Sequence, residues 1–265
     1  MTMRNSALSG DIIDAFELNF KGIDMEMDAD GNIYILGKII SDLESSRMLI
    51  SKFDSEFTLL NNIGIGHLPE IQILDIGLLN ENAIIAAGQS NPSVAADTII
   101  NIILMKFSNT LDPMWSKYSD IERIYSSNKI EIIDDENFLI LGDTYGDIFL
   151  ASFDSSGTLG FSKTYNSDFI SENDYEKSFS VSIQESGYGI TGSKANYGIK
   201  KSIYAIKTDE FGNSCCGRES EFHVDDLEIE TFPVEISIGE FTAEAIDTEF
   251  SIMEIEPETI SLCPR

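Results

Sequence analysis

Short apolar segments separated by polar turns make up most of the chain, and their order repeats. Each unit contains an apolar segment ending at glycine, a variable polar stretch, a second apolar segment and a polar turn. The first unit has these two apolar segments at 28–37 and 48–55. The segment-ending glycines, Gly37, Gly88, Gly142 and Gly192, lie 51, 54 and 50 residues apart. A period of about 50 residues is typical of propeller blades rather than helical solenoids.

The composition of the apolar segments predicts β-strands. They are short, rich in β-branched and aromatic residues, and bounded by Gly, Asp, Asn and Ser. Their continuous apolar character is typical of inner blade strands, which are buried on both faces. The segments 154–157 and 209–212 predict hairpin turns, in which Asp bonds forward to the backbone and Gly takes a positive φ. In 54–57, Phe57 replaces that glycine, so the turn type there stays open.

Two further motifs resemble those of a known family. The segments Leu111-Asp-Pro-Met-Trp-Ser-Lys-Tyr118 and Leu159-Gly-Phe-Ser-Lys-Thr-Tyr165 resemble the leucine, turn, tryptophan-serine-lysine, tyrosine segment of bacterial surface β-propeller repeats. The stretch Lys207-Thr-Asp-Glu-Phe-Gly-Asn-Ser-Cys-Cys216 is similar to that family's exit from the last blade. The resemblance covers roughly residues 16–217. Because the family's repeats occur in large secreted proteins of surface-colonising bacteria, the resemblance implies an extracellular or cell-surface location.

We therefore expect an all-β fold of β-propeller type, built from four-stranded antiparallel blades. Residues 1–217 are predicted to form this domain, with repeats at approximately 16–66, 67–120, 121–168 and 169–217. This length accommodates about 4–5 blades, which leaves a closed ring and an incomplete or open propeller as alternatives.

The remaining residues, 218–265, are predicted to form a short acidic β-rich extension. Residues 219–265 carry 14 acidic side chains and one basic side chain, a net charge of -13, and residues 1–218 carry the other -16. Apolar and polar positions still alternate between 222 and 243, which predicts half-buried strands with a solvated acidic face. We expect a small β-module or strands that complete the last blade, with a linker to a further domain as the lesser alternative.

The total charge narrows the range of partners. With 17 basic and 46 acidic residues the chain has a net charge of -29, and 42% of its residues are hydrophobic. That hydrophobicity excludes wholesale disorder, and the negative field disfavours nucleic acids and anionic membrane surfaces. The densest basic cluster is only Lys200 and Lys201, with Lys194 and Lys207 nearby. We find no apolar run long enough for membrane insertion and no signal-peptide core in residues 1–10.

One turn in the first unit is a candidate calcium site. Asp28, Asp30 and Asn32 place several oxygen atoms within five residues, and Ca²⁺ prefers such ligands. However, an EF-hand loop has its glycine at position six, whereas Gly31 stands at position four. A hairpin turn is the default interpretation, and a bound calcium ion is the weaker alternative. The acidic stretch 134–136 occupies the same place in the third unit and is interpreted as a solvated turn.

The cysteines suggest a disulfide more strongly than a metal site. Cys215 and Cys216 are adjacent, and Cys263 lies near the end of the chain, so a bridge from Cys263 to either of the pair leaves one thiol over. Together with His223 these residues have the ligand types of a zinc site. Paired cysteines in such sites are usually separated by two to four residues, which makes zinc the weaker interpretation.

No catalytic motif is present in the sequence. The chain has only two histidines, His67 and His223, and lacks a nucleophile elbow, a phosphate-binding loop and a zinc-protease motif. We expect a non-catalytic module that recognises a protein or glycan surface through variable loops at 38–47, 89–101, 143–147 and 193–202. The alternatives are a structural component of a large surface or phage-like assembly, and a propeller enzyme that cleaves glycans with channel-lining carboxylates.

Overall fold

The computed structural model consists of strands joined by turns. It describes residues 2–5, 12–18, 20–39, 47–66, 71–80, 83–90, 101–119, 124–144, 147–165, 174–196, 201–215, 217–220, 223–236 and 238–240. These residues form 21 strands and contain no helix, which confirms the predicted all-β fold. Accordingly, within the described ranges there is no helix that could span a membrane.

Strands that follow one another in the chain pair side by side in antiparallel sheets. The N-terminal hairpin pairs β1 (Thr2–Asn5) with β2 (Ile12–Leu18). Sheet 1 contains β3 (Lys21–Met27), β4 (Ile33–Ile39), β5 (Arg47–Phe53) and β6 (Leu59–Gly66). Sheet 2 contains β7 (Ile71–Leu78), β8 (Ala83–Ser90), β9 (Asn101–Ser108) and β10 (Pro113–Ser119). Sheet 3 contains β11 (Ile124–Ile132), β12 (Asn137–Thr144), β13 (Ile148–Asp154) and β14 (Leu159–Tyr165). Sheet 4 contains β15 (Asp174–Gln184), β16 (Gly187–Asn196) and β17 (Lys201–Lys207).

A β-bulge in the first strand of each sheet lies beside the strand residue that pairs with the repeated glycine. In sheets 1 to 4 the register shifts at Ile23, Leu74, Asn128 and Phe179, and the residue before each bulge pairs with the segment-ending glycine of the next strand. In sheet 2 a Cβ atom on Gly88 would lie 2.2 Å from the carbonyl oxygen of Gln72. Because the bulge brings the two backbones this close, the position excludes a side chain.

Apolar layers join each sheet to the next. The first buried cluster connects sheets 1 and 2, the second connects sheets 2 and 3, and the third connects sheets 3 and 4. Fully buried members include Leu36, Ile73, Ile85, Phe138, Leu141 and Ile190. Each such side chain contributes about 1.5–3 kcal/mol when it leaves water, so these layers hold the sheets together. The first strands, β3, β7, β11 and β15, also contact one another in series.

The acidic C-terminal segment runs along the outer edges of the sheets. Its strands are β18 (Gly217–Glu219), β19 (Val224–Asp226), β20 (Glu230–Phe232) and β21 (Ile238–Glu240). They pair antiparallel with β14, β10, β6 and β2, in that order. The segment therefore passes sheet 3, sheet 2, sheet 1 and the N-terminal hairpin in reverse sequence order, and we call residues 217–240 the strap.

Within residues 217–240 the strap has neither of the two arrangements expected for residues 218–265. Among the described residues its strands pair neither with one another, as a separate module requires, nor with sheet 4, the last repeat. The physical reason is strand length, because three residues form too few hydrogen bonds to be stable alone, whereas an open sheet edge offers unpaired backbone groups. The alternation itself is present, since Leu227, Ile229 and Ile236 are half-buried while Glu228 and Glu235 are exposed.

Phe232 anchors the strap to sheet 1. Its ring lies against Gly64 and Gly66 of β6, where a Cβ atom would come within 2.4 and 3.0 Å of the ring carbons. Next to it, the backbone N–H of Val234 donates a hydrogen bond of 3.1 Å to the side-chain oxygen of Asn62. The two glycines of β6 thus leave space for one aromatic side chain of the strap.

Candidate functional site

A cluster of acidic groups and one lysine lies where the first strands of sheets 1, 2 and 3 meet. Asp75 on β7 accepts a hydrogen bond of 3.0 Å from the Lys129 ammonium and a second from the backbone N–H of Ile130, both on β11. Asp24 on β3 accepts a hydrogen bond of 3.0 Å from the backbone N–H of Ile76. Both aspartates directly follow the bulge of their own strand, so the same position links each sheet to the next.

Burial makes this cluster electrostatically unusual. Only 6% of the Asp75 side chain is exposed. Burial, followed by a hydrogen bond with the Asp24 carboxyl, raises the pKa of Asp75 to about 7, although the N–H of Ile130 opposes the shift. Burial also raises the pKa of Glu26 and of Glu131. Burial alone would lower the pKa of Lys129, but the negative charge of Asp75 raises it, so the lysine stays charged.

The geometry fits a structural role for the pair better than a catalytic one. Each carboxyl group of the pair is held by the backbone of the neighbouring sheet, Asp24 by the N–H of Ile76 and Asp75 by the N–H of Ile130. The carboxyl oxygens of Asp75 are engaged by Lys129 and Ile130. A buried acid with engaged oxygens cross-links neighbouring sheets and offers no open face to a substrate.

The cluster was not predicted from the sequence, although a signal for it exists. Asp24, Asp75 and Lys129 each precede the segment-ending glycine of their own unit by 13 residues. Three charged residues therefore recur at one position of the repeat, in the strand that precedes the turn.

The calcium candidate, by contrast, is a hydrogen-bonded turn. One carboxylate oxygen of Asp28 accepts the backbone N–H of Asn32 at 2.8 Å. The other accepts the Asn32 side-chain amide at 2.8 Å and the Tyr34 hydroxyl at 3.2 Å. Burial alone would raise the pKa of Asp28, but the hydrogen bonds from Asn32 and Tyr34 lower it below its ordinary value. Asp30 is exposed.

The same turn occurs at several other places in the chain. The side chains of Asp54, Asp154 and Asp209 each accept backbone N–H groups two and four residues ahead. At the fourth position, Phe57 takes a φ of 61°, as glycine does in the turns at 154 and 209. Asp134 starts a related turn, in which the N–H groups of Glu136 and Asn137 lower its pKa. The aspartates therefore have a common backbone function that needs no cation.

Replacing Asp28 with alanine should destabilise the protein by about 1–2 kcal/mol, because the N–H of Asn32 loses its partner at the turn. The loss should be the same in EDTA and in millimolar CaCl2, as measured by urea unfolding. Asp30→Ala, in the same turn, is the matched control and should leave stability nearly unchanged. A stabilisation by calcium that disappears in Asp28→Ala would instead support a calcium site at this turn.

The cysteine region contains a disulfide. Cys215 is disulfide-bonded, whereas Cys216 and Cys263 lie outside the described residues. His223 is exposed. A sulfur atom held in a disulfide is not a thiolate, and thiolates are the cysteine ligands of zinc. Among the described residues no group of three or more His, Cys, Asp or Glu side chains is arranged to hold a metal.

An open groove lies between sheets 1 and 2, beneath the strap. It has a volume of about 770 Å³ and is formed by the start of β10, the edge of sheet 1 and the strap between β19 and β20. Its walls include Met114 and Trp115 from β10 and Leu227 and Ile229 from the strap. This volume falls within the range of ligand pockets, about 300–1,000 Å³.

The groove combines apolar walls with an acidic rim. Asp226, Glu228 and Glu230 of the strap border it. The indole ring of Trp115 itself packs towards sheet 3, where its N–H donates a hydrogen bond of 3.2 Å to the carbonyl of Ser155. Met114 is 57% exposed, which is unusual for a large apolar side chain. The sequence did not predict this groove because its two walls come from segments about 110 residues apart.

The variable loops, which were expected to carry recognition, fall largely outside the described residues, which omit 40–46, 91–100, 145–146 and 197–200. Comparison with known proteins adds no name to the site: no protein-family model matches the chain, and no curated protein matches it.

Proposed function

We propose that this chain is a non-catalytic recognition module of β-propeller type. Three features support blades: a period of about 50 residues, consecutive antiparallel strands within each sheet, and apolar packing of each sheet on the next. In a propeller the first strands, which here contact one another in series, line the centre. The buried acidic cluster then joins neighbouring blades near the axis, and the binding surface lies elsewhere.

The observation that carries this function is the groove beneath the strap. The exposed Met114 and the strap residues Leu227 and Ile229 offer apolar contact, and three carboxylates on the rim attract positive charge. Of the protein and glycan partners considered for such a module, this chemistry favours a protein segment that carries lysine or arginine side chains. The disulfide at Cys215 supports an extracellular or cell-surface location, because disulfides persist in oxidising compartments.

The groove can be tested by fluorescence, since the single tryptophan of the chain, Trp115, lies on the strand β10 that lines it. Titration with a short arginine-rich peptide should change tryptophan emission in a saturable way, and added salt should weaken the binding. Glu228→Gln should reduce the affinity by about two- to fivefold, as expected for loss of a rim charge. Met114→Ser should reduce it further, because the apolar wall is lost.

Matched controls lie on the exposed surface of sheet 1. Glu56→Gln removes an exposed carboxylate and Met27→Ser removes a methionine that is 66% exposed, both away from the groove. Neither should change the affinity. Absence of binding to any basic peptide, or equal losses in the controls, would overturn the proposed groove. Tighter binding of a neutral oligosaccharide would assign the module to glycans instead.

A second candidate function is a component of a surface assembly. Sheet 4 exposes Ile203 to 86% and Ile183 to 41%, and such apolar groups mark contact surfaces when they are clustered. If assembly is the function, light scattering coupled to size exclusion should show defined oligomers that Ile203→Lys converts to monomers. A monomer at all concentrations would favour the groove.

A further inference from the structure

We propose that the groove beneath the strap binds its partner as an added β-strand, an extended protein segment in which one apolar residue is flanked on both sides by lysine or arginine. In this arrangement, which rests on the proposed function of the groove, the partner forms hydrogen bonds with the strap backbone. The order of its residues then matters as well as its charge.

The groove opens where two paired strands separate. The register of β10 and β19 continues as far as Leu227, whose N–H donates a hydrogen bond of 2.9 Å to the carbonyl of Ser116. The next pair in this register, Ile229 opposite Met114, is absent from the described ladder, although both residues line the groove. Met114 lies in a β-bulge of β10, and after Ile229 the strap pairs with β6 of sheet 1. The ladder between sheet 2 and the strap therefore ends at the groove.

Unused backbone groups of the strap border this gap. In the described part of the chain, neither Glu228 nor Ile229 forms a hydrogen bond through its backbone N–H or C=O. Residues 226–230 alternate between exposed and half-buried positions, as an extended strand does. In such a strand the backbone groups of every second residue point to the same edge, so those of Ile229 face the β10 side, like those of Leu227. An added peptide strand supplies the donor and the acceptor that these groups need.

The side chains of the strap determine the order of residues in the partner. The acidic residues at 226, 228 and 230 are exposed on one face, whereas Leu227 and Ile229 are half-buried on the other. Side chains of adjacent strands that share a face lie about 4.5–5.5 Å apart and interact. A residue opposite Ile229 thus meets the apolar walls of the groove, and the residues on either side of it point towards the carboxylates.

Among these carboxylates, Glu228 is available to a new cation. Asp226 already forms an ion pair of 3.3 Å with Lys117. Glu228 is exposed and, within the described ranges, has neither an ion pair nor a hydrogen bond. A lysine or arginine of the partner would therefore bind mainly to Glu228, directly beside the unused backbone groups of Ile229.

Two peptides of identical composition test the residue order. Acetylated and amidated Gly-Arg-Val-Arg-Gly has its apolar residue between two cations, and Gly-Arg-Arg-Val-Gly does not. Isothermal titration calorimetry should show about three- to tenfold tighter binding of the first peptide. Equal affinities would overturn the added strand but leave the groove as a site for basic segments. Absence of binding by both peptides would overturn the proposed function as well.

Backbone methylation tests the hydrogen bonds of the added strand. N-methylation of the valine removes the N–H that bonds with the Ile229 carbonyl and should weaken the first peptide about tenfold. N-methylation of the second arginine, whose N–H points away from the strap, is the matched control and should weaken binding by about twofold or less. Equal losses from the two methyl groups would contradict the proposed pairing.

Hydrogen exchange of the intact protein, followed by NMR, gives a second measurement of the same pairing. At a peptide concentration about ten times the dissociation constant, the Ile229 amide should exchange about tenfold more slowly. The Glu228 amide, which points to the opposite edge of the strap, is the internal control and should not change. If the peptide binds and exchange at Ile229 is unaltered, the added strand is wrong although the groove still binds basic segments.

Discussion

Replacing Gly88 with alanine is expected to lower the free energy of unfolding by about 2–4 kcal/mol. The new Cβ atom would stand 2.2 Å from the Gln72 carbonyl oxygen and 2.6 Å from the Ile73 Cα atom. Both are backbone atoms, so no rotation of a side chain relieves the contact. The bulged strand β7 must move, and with it Asp75, which bonds to sheet 3. Urea unfolding followed by far-UV circular dichroism measures the loss.

Gly160 is the matched control for this substitution. It also lies within a strand, β14, but its added Cβ atom would meet Ser152 atoms only at 3.4 Å and beyond, which is ordinary contact. Gly160→Ala should therefore stay within about 0.5 kcal/mol of the natural chain. If the two alanine variants are equally stable, the close approach at the bulge does not determine the glycine at position 88.

Lowering the pH from about 8 to about 5.5 is expected to stabilise the protein by about 2 kcal/mol through Asp75. Its pKa is raised to about 7 in the folded chain, from an ordinary value near 4 in the unfolded one. Between these values the folded state binds the extra proton, so stability falls as the pH rises from about 4 to about 7. Glu26 and Glu131, whose pKa values are also raised, act in the same direction.

Asp75→Asn separates this effect from other titrations. An amide at position 75 still accepts the Ile130 N–H, but its NH2 group replaces the oxygen that accepts from Lys129, so we expect the variant to be less stable at both pH values. The variant should unfold at nearly the same urea concentration at both pH values, apart from the smaller slope due to Glu26 and Glu131. Aspartates with lowered pKa values, such as Asp28 and Asp154, act only below about pH 4 and do not interfere. An unchanged slope in Asp75→Asn would contradict the assignment.

The parts of the fold that follow local rules could be read from the sequence. Continuous apolar runs gave the inner strands, and Asp at the first turn position predicted hairpins such as the one at Asp154, where the forward hydrogen bonds are present. The spacing of the glycines was also informative, although its cause lies in the facing strand. Whether the sheets close into a propeller depends on contacts between distant segments and remains part of the proposal.

The partners of the C-terminal segment could not be read in the same way. The alternation of apolar and polar residues indicates that one face of each strand is buried. It does not indicate which sheet edge the strand pairs with. Phe232 binds to β6 because Gly64 and Gly66 leave space there, and this relation joins positions more than 160 residues apart. The groove has the same origin, since neither the Trp115 segment nor the strap contains a pocket by itself.

The strap also imposes an order on the synthesis of the protein. The strap strands β18 to β21 pair with β14, β10, β6 and β2, so the sheet strands are synthesised in the reverse of the order in which the strap reaches them. The partner of β2, β21, is synthesised more than 200 residues after it. At a translation rate of about 5–20 residues per second, the earliest sheet edges stay uncovered for roughly ten seconds or more. Aggregation at these uncovered sheet edges must therefore be slower than the synthesis of the strap. A chain that ends before residue 217 would leave the edges of β14, β10, β6 and β2 uncovered.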